Sequence, residues 1–208
     1  MEIRTIVCGK GEANSYLVWQ KGAQEAFLID AGDDLDKLIT AIDLSGKTLK
    51  AIVLTHGHYD HILCAKPLRD KYACKIYIHE QDAEFLKDVK LNMYNPPMCR
   101  REFEPCEADA LLRDNREYLE LCGIEFKVLH TPGHTSGSVC LYSEKYHALF
   151  SGDTLFANDF GRCDLPGGSM KEMRMSLRTL LHLPGDTTVY PGHYETNTIK
   201  AICEQWNE

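Results

Sequence analysis

Residues 50–61 read Lys-Ala-Ile-Val-Leu-Thr-His-Gly-His-Tyr-Asp-His. Ala51–Leu54 is a short apolar run of the kind that forms a buried strand. In the extended chain leaving that strand, His56 and His58 project to the same side. Asp60 and His61 then sit at the start of the next helix. Three imidazoles and a carboxylate thus fall within six residues, 56–61, although the chain has only nine histidines. Taken singly, each has an ordinary explanation: a histidine can be a satisfied loop residue, and an aspartate can cap a helix. Taken together they read as metal ligands. Imidazole suits zinc, iron and similar cations, and carboxylate adds charge neutralisation.

Four donors from one short loop cannot converge on one ion with good geometry, so the pattern predicts two ions and further donors from elsewhere. Three candidates stand just after predicted strands. His134 lies in Thr131-Pro132-Gly133-His134, Asp153 in Ser151-Gly152-Asp153, and His193 in Tyr190-Pro191-Gly192-His193. A glycine precedes each, which permits close backbone approach or an unusual dihedral.

Around these loops the pattern alternates strands and helices. Strands are expected at 2–8, 14–19, 25–30, 50–54, 75–79, 124–130, 138–143, 147–151 and 187–190. Helices are expected at 34–44 (ended by Ser45-Gly46), 61–73, 81–88, 169–183 and from 198. Met170, Met173, Leu177, Leu180 and Leu181 share one helical face, which reads as core packing. Residues 89–108, with Pro96-Pro97, read as a surface loop or lid, and substitution of Met98 or Phe103 tests closure. Two sheets packed together with helices outside is the natural architecture, and strand-to-helix loops are where such a fold places ligands.

The bulk numbers narrow the function. The 208 residues suit one domain spanning 1–208, since no linker is visible. A net charge of −8, with no basic run, argues against a nucleic-acid partner. Apolar runs are too short to cross a bilayer, and no signal peptide is evident at the N-terminus. The nine cysteines are odd in number and form no CxxC pair, so they read as reduced thiols of a cytoplasmic protein. Cys99 and Cys106 fall in a polar stretch and are candidates for exposure. His79, His147 and His182 read as structural or surface residues; the role of His130 stays open.

The segments LIDAGD (28–33), THGHYDH (55–61), HTPGHTSGS (130–138), SGDTLF (151–156), FGRCDLP (160–166) and PGH (191–193) together resemble the metallo-β-lactamase superfamily. They run in that family's order over nearly the whole chain. The resemblance implies an α/β fold, the αβ/βα four-layer sandwich, with two metals at the open edge between the sheets. It implies His56, His58 and His134 for the first metal, Asp60, His61 and His193 for the second, and Asp153 as the bridge. Zinc is the first expectation for both divalent ions, with iron or manganese as alternatives.

Metallo-β-lactamases themselves carry cysteine at the position matching Asp153, so aspartate points to the glyoxalase II-like branch, in a small form without its C-terminal helical domain. Resemblance to that branch implies hydrolysis of a thioester or ester of a small molecule, S-lactoylglutathione being the first candidate. A water shared by two cations has its pKa brought from ~15.7 toward ~7, and Asp60 and Asp153 are the expected catalytic carboxylates that orient it. Arg162 is the candidate for a substrate carboxylate, with an ion pair to Asp164 as the alternative. Asp30 is the candidate acceptor behind a metal-bound imidazole. Three other functions fit the motifs: a one-iron persulfide dioxygenase using His56, His134 and Asp153, a lactone or ester hydrolase, and a metal-stabilised binding module without turnover.

Overall fold

A computed structural model of the chain describes residues 1–113 and 118–206. Its first sheet contains β1 (Glu2–Cys8), β2 (Ala13–Trp19), β3 (Glu25–Ile29), β4 (Thr48–Val53), β5 (Lys75–His79) and β6 (Ala110–Leu112), in that spatial order. The second contains β7 (Tyr118–Leu121), β8 (Ile124–His130), β9 (Val139–Ser143), β10 (Ala148–Gly152), β11 (Thr188–Pro191) and β12 (Asn197–Thr198), again as neighbours in chain order. The helices are α1 (Leu35–Ser45), α2 (Tyr59–Ile62), α3 (Ala65–Tyr72), α4 (Met170–Leu180) and α5 (Ile199–Trp206).

Strand periodicity builds the layers. Side chains alternate between the faces of a strand, and the central strands are apolar on both. On β3, Phe27 and Ile29 point to the other sheet, where they meet Phe126, Val128, Leu141 and Phe150. Ala26 and Leu28 point the opposite way, to Leu38 and Ile42 of α1 and Leu68 of α3. On the far side, Leu149 and Val189 back onto Met173, Leu177 and Leu180 of α4 and Ile199 and Ile202 of α5. The result is the four-layer αβ/βα sandwich. Phe27 and Phe126 meet edge to face across the middle, centroids 5.6 Å apart. Full burial of one such ring is worth roughly 1.5–3 kcal/mol.

The elements depart from the sequence reading where local pattern is weak. The helix expected over 61–73 is two helices, α2 and α3, interrupted at Leu63-Cys64. The one expected over 81–88 is a 3₁₀ turn, Glu80–Leu86. Strands β6, β7 and β12 are additions to the expected set; they have only 3, 4 and 2 residues, too few to show a period. Met173, Leu177 and Leu180 are core as expected, but Met170 at the first turn of α4 is 44% exposed. Cys99 and Cys106 are half-buried, Cys106 packing against the core, and none of the nine cysteines forms a disulfide.

Residues 89–108 form a strap tied down at several points. Asn92 is buried; its backbone carbonyl accepts from Tyr59 N (2.8 Å) and its side-chain amide donates to Phe85 O (2.8 Å). Arg100 N donates to Asp33 Oδ2 (2.8 Å), and Cys106 N to Leu86 O (3.0 Å). The sheets are also clasped together at one corner. Tyr16 Oη donates to Pro191 O (2.6 Å), Asn14 Nδ2 to Pro191 O (3.0 Å), and Asn14 N to Gly192 O (2.7 Å).

Candidate metal centre

The C-terminal ends of β4, β8, β10 and β11 meet at one edge of the sandwich, and their following loops carry His56–His61, His134, Asp153 and His193. All seven residues converge. The ligand atoms of His56, His58 and His134 lie within 4.8 Å of one another, as do those of Asp60, His61 and His193, and those of His56, His61 and Asp153. Asp153 stands between the first two groups. Its Oδ1 is 3.4 Å from His61 Nε2, and its Oδ2 is 3.5 Å from both His134 Nε2 and His193 Nε2.

Each imidazole but one is aimed from behind. His61 Nδ1 meets Asp30 Oδ2 (2.9 Å), His56 Nδ1 meets Thr55 Oγ1 (3.1 Å), His134 Nδ1 meets Arg162 O (2.8 Å), and His193 Nδ1 meets Gly11 O (3.0 Å). Outer-nitrogen anchoring of this kind fixes tautomer and ring orientation in metal sites. Asp30 thus stands behind the His61 imidazole. It also accepts from Thr55 N (2.7 Å) and Thr55 Oγ1 (2.8 Å), from a left-handed backbone at φ +57 that aspartate tolerates.

The donor set fits a pair of cations. His56 Nε2 and Asp153 Oδ1 are buried without a hydrogen-bond partner, an arrangement that costs about 1–3 kcal/mol per group unless a ligand satisfies it. Burial holds His56 well below the ordinary imidazole range, and burial with the neighbouring His134 holds His58 down to about 3. Both rings are thus neutral, with a lone pair to give. Around His61 burial works the same way but is outweighed by the carboxylates of Asp153, Asp60 and Asp30, which push it up to about 10. At His193 burial is likewise outweighed, first by Asp60. Asp60 stays below the usual carboxylate range because His61 and His193 overcome its desolvation. A cation entering the second group would take the place of protons.

One supporting residue lies outside the sequence reading. Asp82, fully buried in the 3₁₀ turn after β5, accepts from Gly57 N (2.9 Å), Thr135 Oγ1 (2.7 Å) and Gly137 N (2.7 Å). It ties the loop of His56 and His58 to the loop of His134. Phe85 of the same turn packs against Gly57, where a Cβ would lie 2.3 Å from Phe85 Cβ. The available signal for Asp82 is its place just past a parallel strand's end, the same address as the histidine cluster.

The remaining histidines are elsewhere. His79 stacks on His130 (4.2 Å between centroids), and His130 Nε2 meets Ser136 O (2.8 Å) in the loop of His134. His147 pairs with Asp186 (2.8 Å), and His182 Nδ1 bonds Arg178 O (2.6 Å). A cavity of about 420 Å³ opens over the centre. Arg162 lines it, but its guanidinium is held by Asp164 in a two-point pair of 2.7 and 2.8 Å. Met93 is the strap residue that lines the cavity; Met98 faces solvent and Phe103 packs on the core.

The profile of the Metallo-beta-lactamase superfamily matches residues 8–193. The chain is 32% identical over 205 residues to hydroxyacylglutathione hydrolase GloC of Haemophilus influenzae, covering 96% of this chain and 92% of that protein. It is 34% identical over 195 residues to probable metallo-hydrolase YqgX of Bacillus subtilis, covering 93% and 90%. Among solved structures, BLEG-1 B3 metallo-beta-lactamase superposes with a TM-score of 0.89 at 35% identity, covering 98% and 97% of the two chains. The di-iron-bound form of TTHA1623 superposes with 0.86 at 33% identity, covering 97% and 98%.

Proposed function

The chain belongs to the metallo-β-lactamase superfamily, and on that premise we propose that it is a dinuclear metallohydrolase acting on the carbonyl of a thioester or ester. The observation that carries this is the sharing of Asp153 between the two donor groups at the floor of an open cavity. His56, His58 and His134 would hold one divalent cation, Asp60, His61 and His193 the other, and Asp153 both. Zinc is the first choice; the di-iron form of a relative supports iron as well.

Bound there, the cations supply a water made acidic enough to attack at neutral pH and a Lewis acid for the carbonyl oxygen. The protein's own part is alignment. Asp60 and Asp153 orient the attacking water, and the cavity admits the carbonyl from the solvent side. On a thioester the carbonyl carbon gains a bond to the water oxygen and loses its bond to sulfur. One proton of the water leaves with the sulfur as thiol and the other passes to solvent, giving a carboxylate. An ester exchanges its alcohol oxygen in the same way. The same reading takes residues 1–208 as one domain working in the cytoplasm on a small molecule. No helix among the described residues is long and apolar enough to cross a membrane.

S-D-lactoylglutathione is the first test substrate, supported by the relative named for hydroxyacylglutathione hydrolysis. Metal-analysed protein should hydrolyse it, lose activity to a chelator and regain it with zinc. A β-lactam serves as the control, because a B3 metallo-beta-lactamase is among the similar structures. A protein that holds two metals and cleaves neither thioesters nor esters overturns the proposal. A protein that holds one iron and hydrolyses nothing would move it to the persulfide dioxygenase.

A further inference from the structure

Beyond the seven candidate ligands and the charged Asp159 and Arg162, the cavity is lined mostly by apolar and aromatic residues. Met93, Phe156, Phe160, Leu165 and Tyr194 all line it. Met93 and Tyr194 are 37% and 70% exposed, yet both sit in left-handed backbone, at φ +61 and +68. Such conformations cost energy for residues with a Cβ and persist where their surroundings hold them, often at ligand clamps. Both are held. Beside Met93, Asn92 is buried and its Oδ1 accepts from Tyr94 N (2.9 Å). Tyr194 O accepts from Asn14 Nδ2 (2.9 Å). The Tyr194 ring meets Phe156 edge to face at 5.5 Å, and Phe156 in turn meets the His193 ring at 6.1 Å, so the apolar wall runs up to the centre itself.

The charges along this wall are wrong for an anionic arm. Outside the seven metal-facing residues, the described lining has Asp159 and one guanidinium, Arg162, already engaged by Asp164. A glutathione arm would bring two carboxylates and an ammonium to a lining whose one cation is already paired. An uncharged arm would cover exposed apolar side chains at no such cost.

We propose that the wall from Met93 to Tyr194 is a subsite for an uncharged, apolar arm on the leaving side of the substrate, so that neutral thioesters are preferred to glutathione thioesters. This rests on the thioester or ester reading above and narrows it. The test uses zinc-loaded protein and three D-lactoyl thioesters with one acyl group, built on glutathione, N-acetylcysteamine and benzyl mercaptan, thiols of similar acidity. The benzyl arm should exceed the glutathione arm in kcat/KM by about tenfold or more, mostly through KM, in line with apolar pocket contacts. Met93→Ser and Tyr194→Ser should each lower the benzyl-to-acetylcysteamine selectivity severalfold.

Equal or better turnover of the glutathione arm overturns the subsite. So do variants that slow all three arms alike. Should two-metal protein hydrolyse none of them, the thioester reading is what fails. The subsite is then judged on lactate esters of benzyl alcohol and of a carboxylate-bearing alcohol, and absence of the same preference there overturns it too.

Discussion

The two halves of the candidate centre are built by opposite means. His56, His58 and His134 are all buried, 1–4% exposed, and come from two loops that the interior carboxylate of Asp82 holds together. Asp60 and His193 are more open, their side chains 20% and 16% exposed. Their group is held by Asp30 behind His61 and by the corner where Asn14 and Tyr16 reach across to Pro191 and Gly192. The first half is imidazole fixed by packing, with His56 and His58 held neutral by burial; the second is a network of opposite charges that reaches from buried His61 to the rim. Metal affinity in each should therefore answer to a different supporting aspartate.

The largest effect should come from the residue that both halves share. Asp153→Asn keeps the shape but removes the charge that faces His61, His134 and His193. Turnover should fall on the order of a thousandfold, about 4 kcal/mol of transition-state stabilisation, and metal content should drop from two ions toward one. Elemental analysis with steady-state kinetics reads both; a fully active, fully loaded variant would remove Asp153 from the site.

Next is Asp82→Ala, which leaves three buried donors without their acceptor. At about 1–3 kcal/mol for each, a loss of about 3 kcal/mol or more is expected, or a Tm lower by roughly 6–12 °C for a chain of this size. The first metal should be weakened more than the second. Calorimetry and a competitive chelator titration separate the two effects. Equal weakening of both ions would mean that Asp82 supports the fold alone.

Asp30→Asn should do the reverse, and more gently. Asparagine also tolerates left-handed backbone, and one side-chain oxygen remains as an acceptor for Thr55 or His61. The second ion should bind about 10–100-fold more weakly, the usual penalty for losing an outer-shell partner, while the first is kept. The same titration decides it. Loss confined to the first ion would reverse the pairing of aspartates with halves.

This asymmetry also explains what can be read from the chain. The seven residues of the candidate centre are legible because each is a metal-type donor in the loop or short helix that follows a strand. Asp30 is legible because it lies in a motif. Asp82 is not, because one aspartate after a strand looks like any helix cap, and its three donors come from segments 25, 53 and 55 positions away. The layers are legible from strands with apolar residues on both faces. Strands β6, β7 and β12 are not, since their pairing is supplied by neighbours rather than by their own pattern. The strap reads as a surface loop or lid because the ties described above each use a backbone group on at least one side, which no side-chain pattern announces.

Arg162 gives the smallest effect and the finest test of how such motifs should be read. Its side chain is chemically a match for a substrate carboxylate, but the structure gives the work to its backbone. Arg162 O receives His134 Nδ1 at 2.8 Å, orienting a ring of the buried half. The chain passes so close there that a Cβ on Gly161 would lie 2.0 Å from Asp153 O. The guanidinium meanwhile sits exposed against Asp164, an arrangement worth little in water. Arg162→Ala keeps the carbonyl and loses only the exposed pair. It should retain both metals and the wild-type Tm, and change kcat/KM for S-D-lactoylglutathione by less than about threefold, within the range of a surface substitution. A tenfold or larger rise in KM for that substrate, absent for a neutral thioester, would show the guanidinium leaving Asp164 to bind a carboxylate. The position would then serve the centre twice, through its carbonyl to the buried half and through its side chain to the substrate.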